Sequence, residues 1–177
     1  KESGWKLKFN KTRMVITTRL FEQTWRKNVP LDVTLELTQR CNLQCPHCYL
    51  PTHFGGNELS TRELINIFDQ LSRSGTLYIT LTGGELFLRR DIYRLITYLR
   101  TKNFNVTVFT NGTELNPARV AFLRHVGVWE VHVSLYSTSA RVHDKITGVP
   151  GSFTRTVRNI RCLAKNNIPV VVKTLLL

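Results

Sequence analysis

The sequence predicts an α/β fold built on a parallel sheet. Short runs of alternating apolar residues recur five times, and single stretches of helical periodicity, each ~10–15 residues, separate them. Such alternation implies parallel neighbours joined by right-handed helical crossovers. Placement adds a third observation. Three cysteines, a Gly-Gly-Glu and a Thr-Asn-Gly follow the first, second and third strands. A parallel sheet brings all three to one rim, where reactive groups gather in such folds.

The elements follow in order. Residues 1–30 are basic and aromatic with weak periodicity. Val15, Arg19, Glu22 and Arg26 fit one helical face, Pro30 closes the stretch, and the reading is an N-terminal extension packed on the core. From Leu31 to Thr38 the chain alternates Leu31, Val33, Leu35 and Leu37 against Asp32, Thr34 and Glu36, a first strand. The cysteine stretch comes next, with Gly55-Gly56-Asn57 as its flexible end. Ser60 and Glu63 form a capping box that opens a helix ending near Ser74-Gly75. Leu77–Thr82 is the second strand, broken by Gly83-Gly84. Ile92, Leu95, Ile96 and Leu99 mark a helix from Asp91 to Lys102, and Asn105–Thr110 is the third strand. Asn116-Pro117 starts a helix, since proline suits the first turn, and Gly127 ends it. Trp129–Tyr136 is the fourth strand. Residues 137–151 read as a longer loop. Ser152 caps a helix running to about Asn166, and Pro169 precedes a fifth strand.

Size and composition set bounds. With 177 residues and 42% hydrophobic composition the chain builds one domain with a real core. No apolar run approaches the ~18 residues of a membrane span. The opening KESGWKLKF has charge but no apolar segment behind it, so it is not a secretory signal. Unpaired cysteines without an export signal point to a reducing cytoplasm. Net charge is +13, with a pI near 10.1. A basic surface attracts polyanions. The charges are nevertheless dispersed and no arginine-rich run occurs, so a solvated basic surface is expected and nucleic acid is not. The first residue is Lys and residues 170–177 read as a buried strand with no turn after it, so a core spanning 31–177 and cut near its fifth strand is the expectation.

The chemistry concentrates in CNLQCPHCYL. Cys41, Cys45 and Cys48 are spaced C-x3-C-x2-C, and Cys162 alone is left for the rest of the chain. Close thiolates wrap soft metals and iron–sulfur clusters. A disulfide scaffold fits poorly with four cysteines in a chain of this length. Zinc is the rival. A structural zinc site needs a fourth ligand, which His47 or His53 could supply, but a second Cys/His pair is missing. A cubane held by three cysteines leaves one iron open for a chelating ligand, and the odd ligand count favours it. Cys162, between Ile160 and Leu163 on a helix, reads as core.

These residues resemble the signature of the radical S-adenosylmethionine (SAM) enzymes. Gly83-Gly84-Glu85 is similar to that family's GGE motif, Thr110-Asn111-Gly112 to the segment after its third strand, and Ser134 in VHVSLYS to its fourth-strand serine. Leu86 stands where relatives usually have proline. The resemblance implies a TIM-barrel-like core, a partial parallel (β/α)6 barrel whose sixth strand is missing from this count. It implies a [4Fe-4S] cluster on Cys41, Cys45 and Cys48, with SAM on its open iron. Gly83, Gly84 and Glu85 would lie at the SAM methionine end, Thr110 and Asn111 at the ribose, and Ser134 at the ribose or carboxylate. His47 would pack on the cluster edge, and Tyr136 would face substrate or core. The implied chemistry is reductive SAM cleavage to a 5′-deoxyadenosyl radical that abstracts hydrogen, with flavodoxin or ferredoxin as external electron donor. His143-Asp144, Gly148 and Gly151-Ser152-Phe153 resemble the peptide-modifying, SPASM-type branch. A peptide or protein side chain is therefore the expected substrate, and a tetrapyrrole side chain the runner-up. A zinc-stabilised nucleic-acid-binding module is the alternative from another class.

Overall fold

Val and Leu at every second position make the strands, and the order of elements makes the sheet. The computed structural model describes residues 18, 21, 22, 24–50 and 57–175. Strands β1 (Asp32–Thr38), β2 (Tyr78–Gly83), β3 (Asn105–Thr110), β4 (Glu130–Ser134) and β5 (Val170–Lys173) form one sheet in the order β1-β2-β3-β4-β5. All four pairings are parallel. Neighbours in space are thus neighbours in sequence, and the sheet is open at β1 and β5, as a partial barrel requires.

The crossovers are α1 (Thr61–Ser74), α2 (Ile92–Thr101), α3 (Pro117–Val126) and the pair α4 (Ala140–Thr147) and α5 (Ser152–Lys165). The Ser60–Glu63 capping box is present, and Gly75 takes the left-handed conformation that ends α1. Asn116 caps α3 through its side chain, with Pro117 in the first turn. Among the described residues the helices pack on one side of the sheet. Ile79, Leu81, Val106, Val108, Val131 and Val133 meet Phe68, Leu95, Leu99, Leu123 and Leu163 there, all fully buried. Their burial is the dominant stabilising term, about 1.5–3 kcal/mol for each large side chain.

Two local expectations are corrected. The stretch 137–151 is no plain loop: α4 occupies Ala140–Thr147 and ends at left-handed Gly148. Its signals were short, Ser139 before the first turn and Gly148 after the last. Ser152 also does not cap α5. It is the first helical residue, and its hydroxyl bonds Asp144 at 2.9 Å. The cap comes from Asp144, whose carboxylate accepts from the N–H groups of Gly151 (2.6 Å) and Phe153 (2.8 Å). A short helix upstream thereby satisfies the orphan donors of the next one. β4 is also shorter than read, leaving Tyr136 beyond the strand.

The expectation for residues 1–30 falls mostly outside the described residues, as do His53 and Gly55-Gly56. Phe21 and Trp25 are described, and they are 61% and 85% exposed.

Candidate active site

The cysteine loop leaves the end of β1 and is held on two sides. On one side the β1–β2 pairing continues past the strands: Gly84 N–H donates to Thr38 O and Glu85 N–H to Arg40 O, both at 2.8 Å. The glycines permit this approach. A Cβ at Gly83 would fall 2.2 Å from Thr38 O, and one at Gly84 would fall 2.2 Å from Arg40 O. Gly83 also has φ +136°, which disfavours a side chain. On the other side Gln44 N–H donates to Thr147 O at 2.8 Å, and Gly148 packs against Gln44. The helix not foreseen from sequence is therefore a brace for the cysteine loop.

A cavity of about 370 Å³ opens at the carboxyl ends of the strands. Cys41, Cys45 and Cys48 line it, with Gly83 and Gly84 from β2, Thr110 and Asn111 from β3, and Ser134 from β4. His47, Phe109 and Tyr136 complete one wall. Residues drawn from four segments of the sequence thus share one space.

Glu85 is fully buried and outside the cavity lining. Its carboxylate accepts from the N–H groups of Asn111 (2.8 Å) and Phe87 (3.2 Å), and Thr110 Oγ1 lies 2.9 and 2.8 Å from its two oxygens. It ties β2 to the end of β3. Burial outweighs these bonds and pushes its carboxyl up to about 7. The side chain of Asn111 is also committed. Its amide donates to Asn42 Oδ1 at 2.8 Å and approaches Cys41 Sγ at 3.9 Å, while its oxygen accepts from Thr113 N–H at 2.9 Å. Asn42 in turn donates to Thr113 Oγ1 and Glu114. This network fastens the cysteine loop to β3. Asn42 carried no motif signal beyond lying next to Cys41.

Tyr136 sits among three groups. Its ring meets His47 edge-on at 4.7 Å and stacks on His143 at 5.7 Å. Its hydroxyl interacts with Ser134 and Cys45. Buried His143 accepts from Tyr136 N–H through Nδ1 at 3.2 Å, which fixes the proton on Nε2. Burial lowers the pKa of His143 and keeps it neutral.

The donor set fits a cluster. Burial raises the pKa of Cys41. Burial, then the charges of Cys41 and Cys48, push Cys45 up to about 11. No Lys or Arg is among the described lining residues. Three thiolates here need positive charge from a bound centre, which iron–sulfur ligation supplies.

Comparison with known proteins places the chain. The family model described as the radical SAM superfamily matches residues 35–177. The AdoMet-dependent heme synthase of Methanosarcina barkeri is 35% identical over 149 residues, covering 83% of this chain and 43% of that protein. The mycofactocin maturase MftC of Mycobacterium ulcerans is 36% identical over 138 residues, covering 77% and 37%. Among solved structures, Streptococcus suis SuiB bound to its precursor peptide SuiA aligns with TM-score 0.73 and 18% identity, over 97% of this chain and 40% of that one. The chain spans about two fifths of the length of the curated relatives it matches.

Proposed function

The chain belongs to the radical SAM superfamily, and on that premise we propose that it is the core of an enzyme that modifies a peptide or protein side chain. The observation that carries the proposal is the shared cavity, where three thiols face the Gly83-Gly84 ridge and Ser134. Cys41, Cys45 and Cys48 would hold the [4Fe-4S] cluster. The backbone of Gly83 and Gly84 and the Ser134 hydroxyl would orient SAM. When bound, cluster and SAM together supply a carbon-centred radical for hydrogen abstraction.

The remaining residues position and shield. Glu85 and Asn111 fix the end of β3 and the cysteine loop by hydrogen bonds already made within the protein. Tyr136, stacked on His143, lines the cavity beside Cys45 and would shield the cluster there. The cluster needs an external one-electron donor, a flavodoxin or ferredoxin. Three relatives named for peptide modification support a peptide substrate: the PqqA peptide cyclase, SkfB and MftC. Haem-type side-chain chemistry is the second reading, favoured by the relatives named AdoMet-dependent heme synthase.

The test is anaerobic reconstitution followed by dithionite and SAM. Cluster iron and release of 5′-deoxyadenosine are the expected results. Zinc in place of iron, with SAM intact, would overturn the proposal.

A further inference from the structure

The three cysteines lie within residues 41–57, between β1 and α1, and side chains tie the two ends of that stretch together. Arg89 follows the Gly83-Gly84-Glu85 ridge in sequence and is buried. It reaches both ends. Its Nη1 donates to Leu37 O near the end of β1 (2.6 Å), and its Nη2 donates to Leu59 O just before α1 (3.1 Å). Asp91 holds the guanidinium through two bonds, at 2.9 and 2.8 Å. The same carboxylate accepts from Thr61 Oγ1 at 2.7 Å, in the first turn of α1.

Glu58 makes a second tie. Its carboxylate accepts from Arg40 Nε and Nη2, each at 3.0 Å, and lies 3.5 Å from Arg89 Nη1. Such a two-point contact fixes orientation as well as distance. Glu58 also accepts from Thr38 Oγ1, which in turn accepts from Arg40 N–H at 3.1 Å. The carbonyl of Arg40 receives Glu85 N–H. Arg40 is therefore held by backbone and side chain at once, and the next residue is Cys41. Arg40, Glu58 and Arg89 do not line the cavity, so their effect on the thiols runs through the chain.

We propose that Arg40, Glu58 and Arg89 form a clasp that closes residues 41–57 and sets how firmly the three thiols hold their iron–sulfur centre. They are positioning residues. The proposal rests on the radical SAM reading and deepens it. Ordering a loop around a ligand costs conformational entropy, and a loop whose ends are already joined has less to lose. Release of a bound centre needs the loop to open first, so the ties that resist opening slow it. One feature separates this role from general stability. The Arg40 and Glu58 side chains are 54% and 27% exposed, and ion pairs so exposed add little to a whole fold. What the pair governs is local opening beside Cys41.

The test has two readouts. One is loss of iron to the chelator bathophenanthroline from the anaerobic, cluster-loaded protein. The other is hydrogen exchange at the Gln44 and Cys48 amides of the metal-free protein. Arg40→Met is expected to speed iron loss about threefold to fivefold with an unchanged urea midpoint. Glu58→Gln also removes a charge facing the Arg89 guanidinium, and is expected to speed iron loss at least about tenfold. The double variant is expected to match Glu58→Gln, because the two groups act as a unit. Both single variants should quicken exchange at Gln44 and Cys48. Unchanged iron loss and exchange in both variants overturns the clasp. So does a double variant whose effects multiply, or an Arg40→Met midpoint that falls in step with iron loss. An unsubstituted protein that takes up zinc in place of iron, with exchange still quickened in the variants, counts against the radical SAM reading and leaves the clasp standing.

Discussion

Glu85 is a motif residue whose hydrogen bonds all lie within the protein. Its buried carboxyl ties Thr110 and Asn111 in place and is pushed up to about 7 from an ordinary value of 4.5. A raised carboxyl keeps its proton in the folded chain at a pH where the unfolded chain has lost it. Its contribution to stability is therefore full below about 4.5 and is lost as pH rises through about 7. Urea unfolding of the metal-free chain between pH 5 and 8 is expected to show this decline. Glu85→Gln is expected to flatten it, and also to destabilise by about 1–3 kcal/mol, because an amide N–H₂ would face a backbone N–H. Asn111→Ala strands Asn42 and the Thr113 N–H, a comparable cost of about 1–3 kcal/mol. It also frees the cysteine loop, so faster loss of cluster iron to a chelator is expected. Cys45→Ala removes one of the three thiols proposed to hold the cluster, so loss of iron is expected, and full iron occupancy in that variant would contradict the assignment.

Among the elements, α4 matters most for the site. Thr147 O receives Gln44 N–H, His143 supports Tyr136, and Asp144 caps α5. Hydrogen bonds hold the Asp144 carboxyl below its usual range, first of all the bond from Phe153 N–H. Asp144→Ala should cost about 1–2 kcal/mol, as lost caps do, read as a lower urea midpoint. This element was not foreseen. Its eight residues carry one weak apolar pair, Val142 and Ile146, and its stabilising contacts are tertiary. The longer helices were readable from apolar spacing, as Ile92, Leu95, Ile96 and Leu99 in α2 illustrate, and in α1 and α3 also from a cap at each end. Strands were readable for the same reason, as Leu35 and Leu37 against Thr34 and Glu36 illustrate. The glycines are a subtler case. Gly83 and Gly84 were expected to open the backbone toward a ligand, and they do line the cavity. Their tightest requirement is the neighbouring backbone of Thr38 and Arg40. Gly84→Ala is therefore expected to yield misfolded protein rather than a weaker SAM site, and circular dichroism distinguishes the two.

At the scale of the molecule, the parallel sheet carries a thiol-lined cavity at the carboxyl ends of its strands. The rim was legible because parallel topology alone brings the ends of β1, β2 and β3 together. The network through Asn42 was not, since nothing local marks a side chain that reaches 71 positions along the chain. A bound centre should stabilise the whole fold, because it binds the assembled loop and not the unfolded chain. Stripping iron is expected to lower the melting temperature. The most direct measurement is the EPR spectrum of the anaerobically reconstituted, reduced protein with and without SAM. A reduced [4Fe-4S] signal that shifts on adding SAM is the predicted result. A cluster signal indifferent to SAM, or zinc with no signal, would contradict the account.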